Sequence, residues 1–362
     1  MLIDLYKPLS NQETPSNEFE TKVLDFIKEC FSDSKTVKIQ SSGSTGIPKI
    51  FEVEKSKMLN SAEMTCDFLG LKEGNIALIC LPIEYISGKM MVVRSILRKL
   101  KLKIVEPSIN QLENINQEID FCAMTPLQVE SSLDKLHLIK NLIIGGASVS
   151  ETLKQKISKT LKLSNSPTRI FETYGMSETL SHIALKQIFP NQENWFTVFE
   201  GVEISLDERD CLKIFAPKLN SEVLQTNDLV EINNENQFRF LGRIDNVINS
   251  AGAKIFPEEL EKLVKQNIPN EVIFLGIADE KLGQKLILVL EDERCKLQGL
   301  ANNDPNSELQ NLKSQISNLK FEKSFHKPKE IIFVKEIPRT PNGKVNRMEL
   351  KEMLKRISKR PQ

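Results

Sequence analysis

Between Val37 and Gly175, short apolar runs alternate with amphipathic stretches of helix length, and this alternation constrains the fold more than any other feature of the chain. Residues 37–40, 76–81, 103–105, 119–124, 142–144 and 169–172 read as strands, and residues 54–69, 87–100 and 149–161 as helices between them. Strands separated by helix-length crossovers predict a mainly parallel sheet covered by helices. Such sheets bind ligands in the loops beyond the carboxyl ends of their strands. Gly43, Gly145 and Gly175 fall in those loops.

After Pro190 the texture changes. Residues 202–206 and 212–215 flank the polar turn DERD, and residues 229–232 and 238–241 flank NNENQ, so both pairs predict antiparallel hairpins. From Arg243 onward, short strands at 246–249, 272–278, 286–290 and 331–334 mix with helices. One helix begins at Pro257, with Glu258 and Glu259 in its first turn, where the macrodipole favours acids. The fold class is therefore α/β. A large N-terminal domain, 1–243, combines a mainly parallel sheet with antiparallel hairpins, and a small, mobile α+β domain spans 244–362.

Composition removes several function classes. The chain has 362 residues, with Lys+Arg 49 balanced by Asp+Glu 49, which argues against a nucleic-acid binder that works by neutralising phosphates. Its most apolar run, 76–83, is far short of the ~20 residues of a membrane-spanning helix. The N-terminus turns polar at once, unlike a signal peptide. The expectation is a cytoplasmic protein with no membrane insertion. Six scattered cysteines without a CxxC spacing read as reduced core thiols, and His137, His182 and His326 are too dispersed for a zinc site.

The sharpest local signal is the stretch Ser41, Ser42, Gly43, Ser44, Thr45, Gly46, Ile47, Pro48, Lys49. Hydroxyls and glycines in succession put backbone amides and side-chain donors into one concave loop, and Lys49 adds a positive charge beside it. Such a loop can wrap polyphosphate oxygens. Its glycine spacing differs from the common nucleotide-triphosphate loop. Tyr174 and Gly175 close a strand, where an aromatic ring can face a purine. Ser177 can donate to a phosphate, and Glu178 can hold a hard cation. Gly145, Gly146 and Ala147 leave room for a flat ring, and Asp228 can accept from two ribose hydroxyls. Lys344, in Pro-Asn-Gly-Lys, projects from a tight turn. Taken singly, each of these pieces also reads as an ordinary turn or helix cap.

In this order, the stretches SSGSTGIPK, IIGGAS, TYGMSET, TND, FLGRIDNVINSAGAKIFPEELE and PRTPNGKVNR resemble the adenylate-forming superfamily of acyl-CoA synthetases, peptide-synthetase adenylation domains and luciferases. The resemblance spans Ser41 to Arg347. It implies a two-step reaction, in which a carboxylate attacks the α-phosphate of Mg-ATP and a thiol, usually coenzyme A, then displaces AMP. By the same resemblance, 41–49 would hold the β- and γ-phosphates, and Gly145, Gly146, Ala147 and Tyr174 would frame adenine. Ser177, commonly Thr in the family, would contact the α-phosphate, and Glu178 would take Mg²⁺. Asp228 and Arg243 would bind the ribose, and Lys344 would bridge the carboxylate and the α-phosphate. Asp245 matches the family's hinge, and Gly252 would line the pantetheine channel.

Within the superfamily, the stretch TYGMSETLSHIALK and the compact length are most similar to the o-succinylbenzoate–CoA ligase group of menaquinone biosynthesis. Ser181 and His182 lie where substrate-facing residues would be. Lys89 and Arg94 are candidates for the second carboxylate of a dianionic acid, and both also read as solvated helix charges. Two departures stand out. Only forty residues precede Ser41, which suggests an acyl pocket with one wall open and motivates the expectation of a homo-oligomer. Glu84 and Tyr85 replace the aromatic–His pair of many relatives. The competing readings are a ligase for another aryl or fatty acid, a nucleotide-binding regulator without catalysis, and adenylation for a carrier protein acting in trans.

Overall fold

The computed structural model describes residues 1–5, 7, 14–40, 50–164, 166–292, 307–339 and 345–358. The chain divides into two compact units. One comprises Met1–Asp207, Lys213–Thr226 and Ile232–Arg239, and the other Glu208–Leu212, Asn227–Glu231 and Phe240–Gln362.

The elements up to Arg243 are β1 (Leu2–Asp4), α1 (Glu18–Phe31), β2 (Thr36–Gln40), β3 (Ile50–Glu54), α2 (Lys55–Leu69), β4 (Ile76–Ile79), α3 (Ile86–Arg98), β5 (Lys101–Ile104), β6 (Ile119–Met124), α4 (Pro126–Ser131), β7 (Ile139–Ile144), α5 (Glu151–Ser164), β8 (Arg169–Gly175), β9 (His182–Phe189), β10 (Phe196–Val198), β11 (Glu203–Leu206), β12 (Cys211–Ala216), β13 (Asn220–Ile232) and β14 (Gln237–Arg243). One sheet runs in the order β1-β5-β4-β6-β7-β8-β9-β10-β14-β13-β12-β11. From β5 to β8 its pairs are parallel. Of these, β4, β6 and β7 are mostly apolar and buried on both faces, as central parallel strands are, while β5 (KLKI) alternates. Chain order reverses between β4 and β6, which places a topological switch point at their carboxyl ends. Leu78, Cys80, Cys122, Met124, Leu142 and Ile144 form one core with Val149, Leu153, Ile157 and Leu161 of the α5 region.

Local chemistry sets the helix ends. Gly70 ends α2 in the left-handed region at φ 66°, and Lys99 ends α3 at φ 52°. Thr125 and Gln128 form a capping box at α4. Beyond the expected elements, α1 packs an apolar stripe of Phe19, Val23, Phe26 and Ile27, and starts at Asn17, whose side chain accepts from the Glu20 amide. A separate hairpin pairs β2 with β3 in antiparallel register from Thr36↔Glu54 to Gln40↔Ile50.

The second unit contains β15 (Ile248–Ser250), β16 (Ala253–Ile255), α6 (Pro257–Lys265), β17 (Val272–Asp279), β18 (Gly283–Glu291), α7 (Ser307–Ser317), β19 (Glu330–Val334) and α8 (Arg347–Ser358). The period-two pattern of β17 and β18 divides two cores. Val272, Phe274, Leu286, Leu288 and Leu290 pack with Leu260 and Val264 of α6, while Ile273, Leu275, Ile287 and Val289 pack with Leu350 and Leu354 of α8. Among the described residues, no helix is long and apolar enough to cross a membrane.

Candidate active site

Adjacent loops follow β7 and β8. Gly145 continues β7, its amide donating to the Met124 carbonyl at 3.1 Å. The space a Cβ would take at Gly145 is held by the Thr173 hydroxyl, 2.8 Å from that position. Gly146 turns the chain at φ 86°, a conformation that favours glycine. The Val149 amide then donates to the buried carboxylate of Glu172 at 3.0 Å, and Lys154 and Lys186 flank that carboxylate at 3.7 and 3.0 Å. Gly145, Gly146 and Ala147 are thus held by β6 at one end and by β8 at the other. Tyr174, half-buried on β8, packs its ring against Phe238 at 4.8 Å and Phe196 at 5.8 Å.

From Gly175 to His182 the chain makes a tight reversal. A Cβ on Gly175 would lie 2.4 Å from both the His182 Cα and the Ser181 carbonyl oxygen. Ser177 and Glu178 occupy a short 3-10 turn ending at Thr179 and are solvent-exposed. The buried Thr179 hydroxyl braces this turn, accepting from the Met176 amide at 3.1 Å and reaching the Ser181 carbonyl at 2.7 Å. Leu180 sits at φ 65°, a strained setting for a γ-branched residue. Gly175→Ala is expected to cost about 2–3 kcal/mol by overpacking backbone against backbone. A denaturant midpoint equal to that of the parent would contradict this.

Beneath the reversal lies a buried polar chain. Arg94 on α3 is 2% exposed, and its Nη2 donates to Ser181 Oγ at 3.1 Å. Among the described residues, its Nη1 reaches only the Met91 sulfur at 3.9 Å, and its Nε has no partner. No carboxylate among the described residues pairs with it. Thr65 on α2 donates its hydroxyl to the Ser61 carbonyl at 3.2 Å and so accepts from His182 Nε2 at 3.1 Å. His182 Nδ1 is left to accept from Ser181 Oγ at 3.3 Å, and Ser181 in turn accepts from Arg94. Burial, and then the Arg94 charge, hold His182 well below the usual histidine range, so its ring is neutral. Burial lowers the Arg94 guanidinium to about 10, which still leaves it charged at neutral pH. Lys89 points elsewhere on the same helix, its Nζ 3.8 Å from the centre of the Phe26 ring of α1.

In the second unit, Arg243 joins two candidates, its Nη1 lying 3.3 Å from Asp228 Oδ1 and its Nη2 3.1 Å from Asp245 Oδ2. Asn227 extends the cluster, donating to Asp245 at 3.2 Å and accepting from Arg209 at 3.1 Å. Gly252 forms, with Ala251, the two-residue turn between β15 and β16. Both have positive φ, 49° at Ala251 and 82° at Gly252, as a twisted hairpin requires.

A family model described as AMP-binding enzyme matches residues 6–201, more than half of the chain. This chain belongs to the AMP-binding enzyme family. A 2-succinylbenzoate–CoA ligase of Lactococcus lactis is 26% identical over 346 residues, covering 89% of this chain and 72% of the relative. A solved acyl-CoA synthetase (AMP-forming)/AMP-acid ligase II-like protein of Dyadobacter fermentans is 32% identical with a TM-score of 0.63, covering 95% of this chain and 97% of the other. The fold is shared with o-succinylbenzoate coenzyme A synthetase of Bacillus subtilis, solved with ATP and magnesium ion, at 20% identity, a TM-score of 0.68, and 87% and 69% coverage.

As an AMP-binding enzyme, the chain keeps two expected pieces outside the described residues, namely Ser41, Ser42, Gly43, Ser44, Thr45, Gly46 and Lys49, and Lys344. The first piece connects the paired strands β2 and β3. The Gln40 amide donates to the Glu84 carbonyl at 3.4 Å, which ties that hairpin to the Glu84–Tyr85 departure. Glu178 makes no ion pair among the described residues, and no cluster of three or more metal-binding side chains occurs among them. One exposed carboxylate fits a Mg²⁺ ion completed by substrate phosphates and water, and does not make a closed protein cage. Sequence reasoning missed Glu172, Thr173, Thr65 and Thr179. A carboxylate inside the apolar strand RIFETYG was the available signal for Glu172.

Proposed function

We propose that this chain is an AMP-forming acid–thiol ligase whose acid is o-succinylbenzoate. It joins the carboxylate to the α-phosphate of ATP with release of pyrophosphate, then passes the acyl group to coenzyme A with release of AMP. Arg94 carries the choice of acid. A buried guanidinium with no carboxylate partner among the described residues is costly to keep, and a dianionic acid would supply an anion for it. Ser181, already accepting from Arg94 and fixed by the neutral His182, holds the guanidinium's orientation, leaving Nε and Nη1 for the ligand. The name of the Lactococcus relative supports the same acid.

The remaining roles follow the chemistry of neutralising and positioning a phosphoryl group. Residues 41–49 cradle the β- and γ-phosphates. Gly145, Gly146, Ala147 and Tyr174 receive adenine, and Ser177 donates to the α-phosphate. Asp228 accepts from ribose hydroxyls while Arg243 holds it in place. Glu178 would hold Mg²⁺, which when bound offsets phosphate charge. Lys344 stabilises adenylation, the small domain moves about Asp245, and Gly252 borders the path of the thiol. The co-substrates ATP and coenzyme A fit a cytoplasmic enzyme.

AMP release by the purified protein with ATP, Mg²⁺ and o-succinylbenzoate, with and without coenzyme A, tests this reading beside benzoate and fatty acids. CoA-dependent release selective for o-succinylbenzoate is expected. Turnover of other acids alone would discard the substrate and keep the mechanism. ATP binding without turnover of any acid would support a non-catalytic regulator.

A further inference from the structure

We propose that Arg347 and Glu258 are positioning residues for the adenylation step, linking the hinge stretch to the segment that carries Lys344. The inference rests on the role given to Lys344 above. Residues 340–344 lie outside the described residues, but both of their flanks are fixed. Arg339 and Val345 form an antiparallel bridge, and the Asn346 amide donates to the Pro338 carbonyl at 2.8 Å. Arg347, three residues after Lys344, begins α8 and turns its guanidinium into the small unit.

There, Nη1 donates to the Phe274 carbonyl at 3.0 Å and Nη2 to Glu261 Oε2 at 2.7 Å. Glu261 Oε1 accepts from the Phe274 amide at 2.8 Å. The pair therefore satisfies both backbone groups of Phe274 on the free edge of β17, and that alone would be a structural role. Glu258 adds the second part. Its Oε1 lies 3.8 Å from Arg347 Nη2 and accepts from Asn246 Nδ2 at 2.6 Å. Its Oε2 is buried, with no hydrogen-bond partner among the described residues, and a Cβ on Gly242 would lie 2.5 Å from it. Gly242 and Asn246 bracket Arg243 and Asp245, the ribose and hinge candidates. This places the Glu258 carboxylate directly against the hinge stretch. Contacts thus run without a break from the hinge stretch through Glu258 and Arg347 to the base of the lysine segment.

The test separates the two half-reactions in the full-length protein. Pyrophosphate exchange driven by o-succinylbenzoate reads adenylation, and CoA thioester formation from supplied acyl-adenylate reads transfer. The variants are Arg347→Lys, Glu258→Gln and the double change Arg347→Met with Glu261→Gln, which removes both charges of the buried Arg347–Glu261 pair together. In the double variant, exchange is expected to fall by about tenfold to a hundredfold, the scale set by small misplacements of a catalytic group. Transfer and the KM for ATP should stay near parental values, and Arg347→Lys should restore part of the loss. An equal fall in both half-reactions, or none in either, overturns the inference. Lys344→Ala run alongside distinguishes the underlying reading, since exchange that survives in that variant removes the role of Lys344 and this inference with it.

Discussion

Replacing Lys344 by alanine is expected to lower acyl-adenylate formation by about a hundredfold to a thousandfold, the usual loss when one preorganised charge is taken from a transition state. As the carboxylate oxygen bonds to the α-phosphorus and charge passes to the departing pyrophosphate, two anionic groups, the attacking carboxylate and the α-phosphoryl oxygens, are forced together. An ammonium group bridging them is worth most at that moment. Thioester formation from supplied acyl-adenylate does not pass through this charge distribution, so it should remain near the parental rate. Pyrophosphate exchange and single-turnover transfer are the two measurements. Equal losses in both would mean that the substitution disturbs the protein generally and that the lysine has no selective role.

Arg94→Met should raise the KM for o-succinylbenzoate by about tenfold to a hundredfold, because a charge-assisted hydrogen bond is worth about 1.5–3 kcal/mol. Benzoate, which has no second carboxylate, should lose little, and the KM for ATP should not move. The same substitution is expected to leave thermal stability unchanged or raise it. The guanidinium is almost fully buried and has no carboxylate partner among the described residues, and replacing a buried charge by an apolar side chain of similar size often stabilises. A gain or tie in stability beside a loss in affinity is the pattern of a group kept for binding. A fall in stability with an unchanged KM would show that Arg94 serves only the packing of α3 against the reversal at Ser181.

Much of the fold was legible because the central strands are buried on both faces and their crossovers are of helix length. Residues 119–124 and 142–144 therefore stand out as apolar runs, and the expected helices at 54–69 and 87–100 fall on α2 and α3. The helix α1 was overlooked although its signals are local, since Asn17 precedes Glu20 by three residues and Phe19, Val23, Phe26 and Ile27 repeat at helical spacing. The strand β9 was harder to see. It joins the sheet antiparallel to β8, after a reversal whose tightness depends on the missing side chain at Gly175 and the brace at Thr179.

The candidate site divides in the same way. Motif chemistry is carried by residue type and short spacing, so the phosphate-type loop at 41–49, Tyr174 to Glu178, Asp228 and Lys344 were nameable from the sequence alone. Burial is not a property of a residue but of what packs on it. Lys89 and Arg94 lie five positions apart on one helix and looked equivalent. Packing set the first over Phe26 and left the second buried beside Ser181, with no counter-charge among the described residues. The sequence by itself determined the family, the layered α/β architecture and the order of the nucleotide motifs, because these depend on local pattern. Only the tertiary structure decided which cation is desolvated, which tautomer His182 holds, and that Glu172 anchors the glycine loop, because each depends on groups brought together across the sheet from distant parts of the chain.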